Sequence, residues 1–218
     1  MINTEQARFN MIEQQIRPWD VLDPGVLELL ALVRREDFVP AAYRALAFVD
    51  SEIPLPEGQC MLAPKLEARL LQEAQVQRHE RVLEIGAGSG FMAALLAHRA
   101  QSVVTLERSA ALARLATENL RRAGIANASV RQMDGAGGLP GEAPFDVIML
   151  SGSVAQVPQG LLQQLKVGGR LVAIVGQEPV MSALRVRRVS DSGFQTESMF
   201  ETMAPRLTGF EEPTRFSF

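Results

Sequence analysis

The sequence predicts an α/β fold with a mostly parallel sheet, helices on both faces and a C-terminal antiparallel hairpin. Short apolar runs alternate with helical patterns between residues 81 and 175. The first of these runs leads into glycines spaced G-x-G-x-G at Gly86, Gly88 and Gly90. Strands separated by helices are joined by right-handed crossovers and therefore run parallel. Two final apolar runs flank the turn sequence Asp191-Ser192-Gly193, which favours an antiparallel hairpin.

The first third of the chain predicts helices and turns rather than strands. A helix is expected from Thr4 to Ile16, ended by Arg17-Pro18, because the residue before proline disfavours helical backbone. A second helix begins at Asp23-Pro24, which combines an N-cap with proline in the first helical position. Prolines then break any long element between residues 37 and 64. A third helix is predicted for Pro64–Gln75.

Strands and helices alternate through the rest of the chain. The predicted strands are Arg81–Ile85, Ser102–Leu106, Ser129–Gln132, Phe145–Leu150 and Arg170–Val175. The predicted helices between them are Gly90–Arg99, Ala110–Ala123 and Gln159–Leu165. The runs Ala183–Val189 and Phe194–Phe200 complete the hairpin. This order is typical of a sheet that is covered on both faces.

Composition limits the class of protein. With 218 residues and 47% hydrophobic content, the chain can bury one substantial core, and we expect a single domain over residues 1–218. A net charge of −3 gives no general electrostatic case for binding nucleic acid. No apolar run is long enough to cross a membrane, and no N-terminal signal is evident. The single cysteine, Cys60, agrees with a reducing compartment, so a cytoplasmic protein is expected.

The glycine loop and the acidic residue after it predict a nucleoside-type cofactor. Gly86, Gly88 and Gly90 follow an apolar run, and glycine lets the backbone turn tightly and approach a ligand closely. Glu107 follows about twenty positions later at the end of a second apolar run, where such folds meet ribose hydroxyls. Asp134 also follows a predicted strand. Because ligands bind at the carboxyl ends of the strands in these sheets, the three features are expected to converge there.

Spacing discriminates among the nucleoside cofactors. A dinucleotide fingerprint requires a small residue where this chain has Phe91, and no lysine follows Gly90 as a P-loop requires. S-adenosylmethionine fits what remains, since it carries no phosphate that needs a helix N-terminus. No arrangement of nucleophile, base and acid predicts a catalytic residue, and the one cysteine and two histidines predict no metal cluster.

Several segments carry a resemblance to a known family over nearly the whole chain. They are Met11–Ile16, Val33–Pro40, Pro54–Gln59, Val82–Phe91, Asp134-Gly135, Phe145-Asp146 and Gln164–Val172. With these motifs in this order, the chain resembles the protein-L-isoaspartate O-methyltransferase family. The glycine loop is common to many methyltransferases, whereas Phe38-Val39-Pro40 and Gly58-Gln59 are more specific.

The resemblance implies a Rossmann-like S-adenosylmethionine-dependent methyltransferase fold and a peptide or protein substrate with an isoaspartyl carboxylate. Residues 1–78 would form a helical and loop extension covering the site, and residues 79–218 the cofactor-binding sheet core. The family roles fall on seven positions of this chain. Gly86, Gly88 and Gly90 would line the cofactor, Glu107 would hold the ribose, Asp134 and Gly135 would face the adenine, and Thr208 would close the cofactor side.

One departure from the family pattern affects the acceptor side. The family usually has Thr-Ile-Ser where this chain has Cys60-Met61-Leu62, and the run after the fourth strand differs at Ser151–Val154. The resemblance places Cys60, Met61, Leu62 and Ser151 at the substrate. A carboxylate that faces leucine instead of a hydroxyl loses a charge-assisted hydrogen bond of roughly 1.5–3 kcal/mol. Three alternatives therefore stay open: another methyl acceptor, a cofactor-binding protein without turnover and, less well supported, a nicotinamide enzyme.

Overall fold

A central sheet of seven strands organises the protein, for which a computed structural model describes residues 3–212. Its strand order is β5-β4-β3-β6-β7-β8-β9. The strands are β3 (Arg81–Ile85), β4 (Ser102–Glu107), β5 (Ala128–Gln132), β6 (Phe145–Val154), β7 (Leu165–Gln177), β8 (Val180–Arg188) and β9 (Phe194–Glu201). Strands β5, β4, β3, β6 and β7 pair in parallel, and β8 and β9 extend the sheet in antiparallel pairing. The predicted fold class is confirmed, including the terminal hairpin at the sheet edge.

Six α-helices and a small hairpin complete the described chain. The helices are α1 (Thr4–Met11), α2 (Pro24–Leu32), α3 (Pro64–Ala74), α4 (Phe91–Arg99), α5 (Ala110–Arg122) and α6 (Gln159–Leu162). The small hairpin pairs β1 (Ile53–Pro54) with β2 (Cys60–Met61). Asp23 caps α2 as predicted, since its side chain accepts a hydrogen bond from the backbone N–H of Val26 at 2.9 Å.

Alternating side chains of the central strands divide the core into two layers. Val147 and Met149 of β6 belong to one layer, with residues of α1 to α5. Ile148 and Leu150 belong to the other, with residues of α6 and the C-terminal segment. Because successive strand residues point to opposite faces, a strand covered on both faces reads as a continuous apolar run. This explains why β6 was recognisable from sequence.

Two predicted boundaries were wrong. The helix expected over Gln159–Leu165 ends at Leu162, and β7 begins at Leu165 instead of Arg170. Gln164 lies between them, and its side chain bonds the Leu139 N–H at 2.8 Å and the Gly137 carbonyl at 2.8 Å. Gly137 and Leu139 belong to a loop that is distant in the chain. Their hydrogen bonds to the Gln164 side chain compete with continuation of the helix.

The chain also continues past two other predicted ends. Strand β6 extends to Val154 because Ser153 and Val154 resume the pairing with β7 after a register shift, and Ser153 also exchanges backbone hydrogen bonds with Pro205 and Leu207. At the N-terminus, α1 passes into a π-helical turn at Ile12–Ile16 and a 3₁₀ turn at Arg17–Trp19. The predicted stop before Pro18 was therefore early by one turn.

Candidate active site

A cavity of about 490 Å³ lies at the carboxyl ends of β3 and β4. We call it the main cavity; its walls include Gly86, Glu107, Gly135, Leu207 and Thr208. Glu57 and Gln59 reach it from the segment that precedes the sheet. Strand β3 has β4 on one side and β6 on the other, so the strand order reverses next to the cavity. Open α/β sheets bind ligands at such a point.

The glycine loop forms one wall of the main cavity. Gly86 has a φ of +94°, which side-chain-bearing residues rarely adopt, and its N–H donates to the Leu106 carbonyl at 2.9 Å. A β-carbon at Gly86 would come within 2.8 Å of Leu207 Cδ2, a side chain of the opposite wall. Glycine at this position therefore keeps the cavity open where the loop and the C-terminal segment approach each other.

Glu107 links the glycine loop to the start of α5. Its Oε2 accepts from the Gly88 N–H at 2.9 Å, and its Oε1 accepts from the Ser109 N–H at 2.9 Å. The residue is 8% exposed and sits on the cavity wall. Each carboxylate oxygen has a second acceptor position, so the fixed carboxylate can still accept hydrogen bonds from a pair of ligand hydroxyls.

A smaller recess of about 30 Å³ adjoins the main cavity through Gly86, which lines both. We call it the recess. It is lined by residues from five elements, among them Cys60, Met61, Leu62, Glu67, Glu84 and Ser151. The structure thus brings together all four residues that the resemblance assigns to the substrate side. Cys60 contacts Glu52, and burial, followed by the Glu52 charge, raises the pKa of its thiol to about 12, so the thiol is neutral.

Glu84 is a recess residue that sequence reasoning missed. It is 0% exposed, and its Oε1 accepts from the Ser151 hydroxyl at 2.6 Å. Thr105 is its register partner on β4, and the Thr105 hydroxyl lowers the pKa of Glu84, although within residues 3–212 neither this hydroxyl nor Glu84 Oε2 has a hydrogen bond of normal geometry. Burial raises the pKa of Glu84 to about 7. A sequence signal existed, since a carboxylate between Leu83 and Ile85, inside an otherwise apolar run, is rare without a function or a partner.

Arg35 is the second residue that was missed, and it holds the recess wall in place. Its guanidinium is 1% exposed and forms an ion pair with Glu67. It also donates to the carbonyls of Leu62 at 2.8 Å and Ala47 at 3.1 Å. Its Cζ lies 5.0 Å from the ring centroid of Phe91. Burial lowers the pKa of Arg35 to about 9, yet the side chain stays cationic at neutral pH.

Two predicted cofactor residues, Gly90 and Asp134, are not among the residues that line either cavity. Gly90 has a φ of +85° and faces α5, where a β-carbon would come within 3.2 Å of the Ala116 backbone. Asp134 is exposed; it accepts from the Ala136 N–H at 3.0 Å and lies 3.7 Å from an Arg108 nitrogen. Its neighbour Gly135 does line the main cavity. The described geometry gives Gly90 a packing role and Asp134 a turn-forming contact; their cofactor roles stay predictions.

Two further classes of feature bear on the site. Among residues 3–212, no three His, Cys, Asp or Glu side chains are grouped so as to hold a metal ion. In the same part of the chain, no helix combines the length and apolarity that a membrane crossing requires.

The sheet order, the glycine bend and the acidic residue at the end of the next strand define a Rossmann-like fold of the methyltransferase type. Comparison with known proteins gives the family. A sequence model described as "Protein-L-isoaspartate(D-aspartate) O-methyltransferase (PCMT)" matches residues 6–209. The chain belongs to this family.

Individual relatives agree with this assignment. A protein-L-isoaspartate O-methyltransferase of Koribacter versatilis is 43% identical over 181 residues, which are 83% of this chain and 81% of that protein. A solved structure of a putative family member from Plasmodium falciparum, in complex with S-adenosyl-L-homocysteine, has a TM-score of 0.76 at 18% identity and covers 95% of this chain and 99% of its own. Another solved protein-L-isoaspartate O-methyltransferase has the same TM-score of 0.76 at 24% identity, covering 94% of this chain and 66% of that one. At these identities the two structures support the fold alone.

Proposed function

We propose that this protein transfers a methyl group from S-adenosylmethionine to the abnormal carboxylate of isoaspartyl residues in damaged proteins. The observation that carries the proposal is the main cavity, in which a glycine bend faces a fixed acidic residue in a chain that belongs to this methyltransferase family. The family acts on proteins, so the partner is a polypeptide. The low cysteine content supports a reducing compartment such as the cytoplasm.

The residues present fit this cofactor. The main cavity has about 490 Å³, within the range of roughly 300–1,000 Å³ that is usual for small-molecule sites. Glu107 would accept hydrogen bonds from the ribose hydroxyls, and Gly135 and Thr208 would flank the base. Gly86 would leave room for the sulfonium end. Glu57 and Gln59 on the wall support a covering role for residues 1–78 within a single domain.

Methyl transfer to a carboxylate needs alignment more than acid–base help. S-adenosylmethionine supplies a methyl group on a positively charged sulfur, which is a good leaving group. An ionised acceptor carboxylate already offers its lone pair, so we assign no general base and no catalytic residue. The chain's contribution is to position both reactants in line and to exclude water, through the glycine loop, Glu107 and the apolar recess wall.

A direct assay tests the proposed activity. Purified protein is incubated with methyl-labelled S-adenosylmethionine and an isoaspartyl peptide, and base-labile methyl esters are counted. The matched control is the same peptide with a normal aspartyl residue. We expect label in the isoaspartyl peptide well above the control. Equal label in both peptides would refute the proposed substrate.

Replacing Glu107 by glutamine is expected to weaken S-adenosylhomocysteine binding at least tenfold. Glutamine keeps the size of the side chain but loses the charge and one acceptor oxygen, and a hydrogen bond to a charged group contributes roughly 1.5–3 kcal/mol. Calorimetric titration measures the change. Glu118→Gln is the control, because Glu118 is exposed on α5 and pairs with Arg121. An unchanged dissociation constant in Glu107→Gln would exclude the ribose role.

Leu62 favours a second candidate function, a methyltransferase of this fold with a different acceptor. The Cys60–Leu62 side of the recess has no hydroxyl to donate to a carboxylate. This candidate predicts label from S-adenosylmethionine in a small molecule or an unrelated protein of a cell extract, with none in isoaspartyl peptide. A binder without turnover would give calorimetric binding and no labelled product from any extract.

Replacing Leu62 by serine is expected to raise kcat/KM for an isoaspartyl peptide by about ten- to a hundredfold. The added hydroxyl would restore a hydrogen bond of roughly 1.5–3 kcal/mol to the acceptor carboxylate. Leu62→Ala is the matched control, since it removes the same bulk without adding a donor. If the serine and alanine variants behave alike, the side chain at this position does not contact the acceptor.

A further inference from the structure

Glu84 is a carboxyl group buried in the recess without a cationic partner among residues 3–212. It is wholly buried, the Ser151 hydroxyl donates to one of its oxygens, and the hydroxyl of its register partner Thr105 is the other uncharged donor beside it. An ionised carboxylate needs either several donors or a nearby cation when it is buried. Among the described residues, Glu84 has only these two hydroxyls and no cation beside it, and burial still dominates its pKa.

The groups around Glu84 do not provide that cation. Glu107 is the last residue of the adjoining strand β4, and its negative charge disfavours ionisation of Glu84. Glu67 lines the recess but is paired with the buried Arg35. The Cys60 thiol is neutral, and Thr105 and Ser151 are uncharged. The two histidines, His79 and His98, line neither the main cavity nor the recess.

We propose that Glu84 is a proton-release group, so that binding of the cationic cofactor in the main cavity expels one proton from its carboxyl to solvent. The inference rests on the proposed function, because it requires a ligand with a positive charge beside Gly86. That residue lines both spaces, so a cation at this point of the main cavity is adjacent to the recess. The ligand would supply the charge that the protein lacks, and the O–H bond of the neutral carboxyl would break as the ion pair forms.

The consequence is a cofactor affinity that rises with pH. Burial holds the pKa of Glu84 at about 7 without ligand, so at pH 6 binding must first remove a proton. The Glu84 carboxyl group is mostly neutral below pH 7 and loses its proton as the pH rises through this pKa. If the bound form ionises well below pH 6, affinity at pH 7.5 is about tenfold higher than at pH 6. Uptake and release of the cofactor would thereby respond to pH in the physiological range.

Calorimetry in buffers of different ionisation enthalpy tests the proposal. S-adenosylhomocysteine, which keeps its ammonium group, and S-adenosylmethionine are each titrated into the full chain between pH 6 and pH 7.5. The dependence of the heat on the buffer counts protons. We expect S-adenosylmethionine to release about 0.9 proton at pH 6 and about 0.5 at pH 7. A smaller release with S-adenosylhomocysteine would assign part of the effect to the sulfonium charge.

Two variants keep the test specific. In Glu84→Gln, which preserves size and cannot titrate, proton release falls to near zero and affinity no longer varies with pH. Glu118→Gln retains the wild-type proton count. If Glu84→Gln does not fold, Ser151→Ala is informative, because loss of the hydroxyl donor shifts the pH dependence of binding upward.

The outcomes separate this proposal from the proposed function. Binding with no proton release at pH 6, or proton release that persists in Glu84→Gln, overturns the role of Glu84 and leaves the methyltransferase assignment intact. Absence of binding heat at every pH, together with unlabelled isoaspartyl peptide, overturns the proposed function as well.

Discussion

Replacing Arg35 by methionine is expected to lower the free energy of unfolding by about 3–5 kcal/mol, because Glu67 is left as a buried charge without a partner. The guanidinium also bonds the carbonyls of Ala47 and Leu62, which would lose their donor. Methionine fills a similar volume beside Phe91, so most of the loss comes from electrostatics and hydrogen bonds. Urea denaturation at pH 7 measures the change.

Two comparisons isolate the cause. Arg121→Met removes an arginine whose side chain is 72% exposed and pairs with an exposed Glu118, and little loss is expected there. The double variant Arg35→Met with Glu67→Met should be more stable than Arg35→Met alone, since no buried charge remains. A single variant as stable as Arg121→Met would show that the ion pair does not hold the recess wall.

Replacing Gly90 by alanine is expected to lower the free energy of unfolding by about 2–5 kcal/mol. The left-handed backbone accounts for about 1–2 kcal/mol of this cost. Crowding adds about 1–3 kcal/mol, because the new β-carbon would come within 3.2 Å of the Ala116 backbone in α5, which cannot rotate away as a side chain can. Thermal and urea unfolding measure the loss.

Gly124→Ala is the matched control for Gly90→Ala. Gly124 also has a positive φ, +70°, but a β-carbon there would have no heavy atom within 4 Å. Only the backbone cost of about 1–2 kcal/mol is expected. Equal losses in the two variants would mean that α4 and α5 tolerate the extra methyl group, and that packing does not explain the third glycine of the loop.

Much of the fold was predictable because its signals are local. Strand β6 is apolar on both faces, Asp23-Pro24 is a helix start, and Asp191-Ser192-Gly193 is a turn. Boundaries failed where distant contacts decided them. Gln164 ends α6 early through bonds to Gly137 and Leu139, which lie over twenty residues away in the chain.

By itself, the sequence determined the parallel sheet, the glycine bend and the acidic residue at the end of the next strand, since periodicity and turn chemistry are carried by neighbouring residues. Only the tertiary structure decided which groups meet. It placed Ser151 on Glu84 from a strand 67 residues away, Arg35 on Leu62, and Gly90 against Ala116. These contacts depend on strand register and helix packing, which arise when remote segments bury surface together, and no local pattern encodes them.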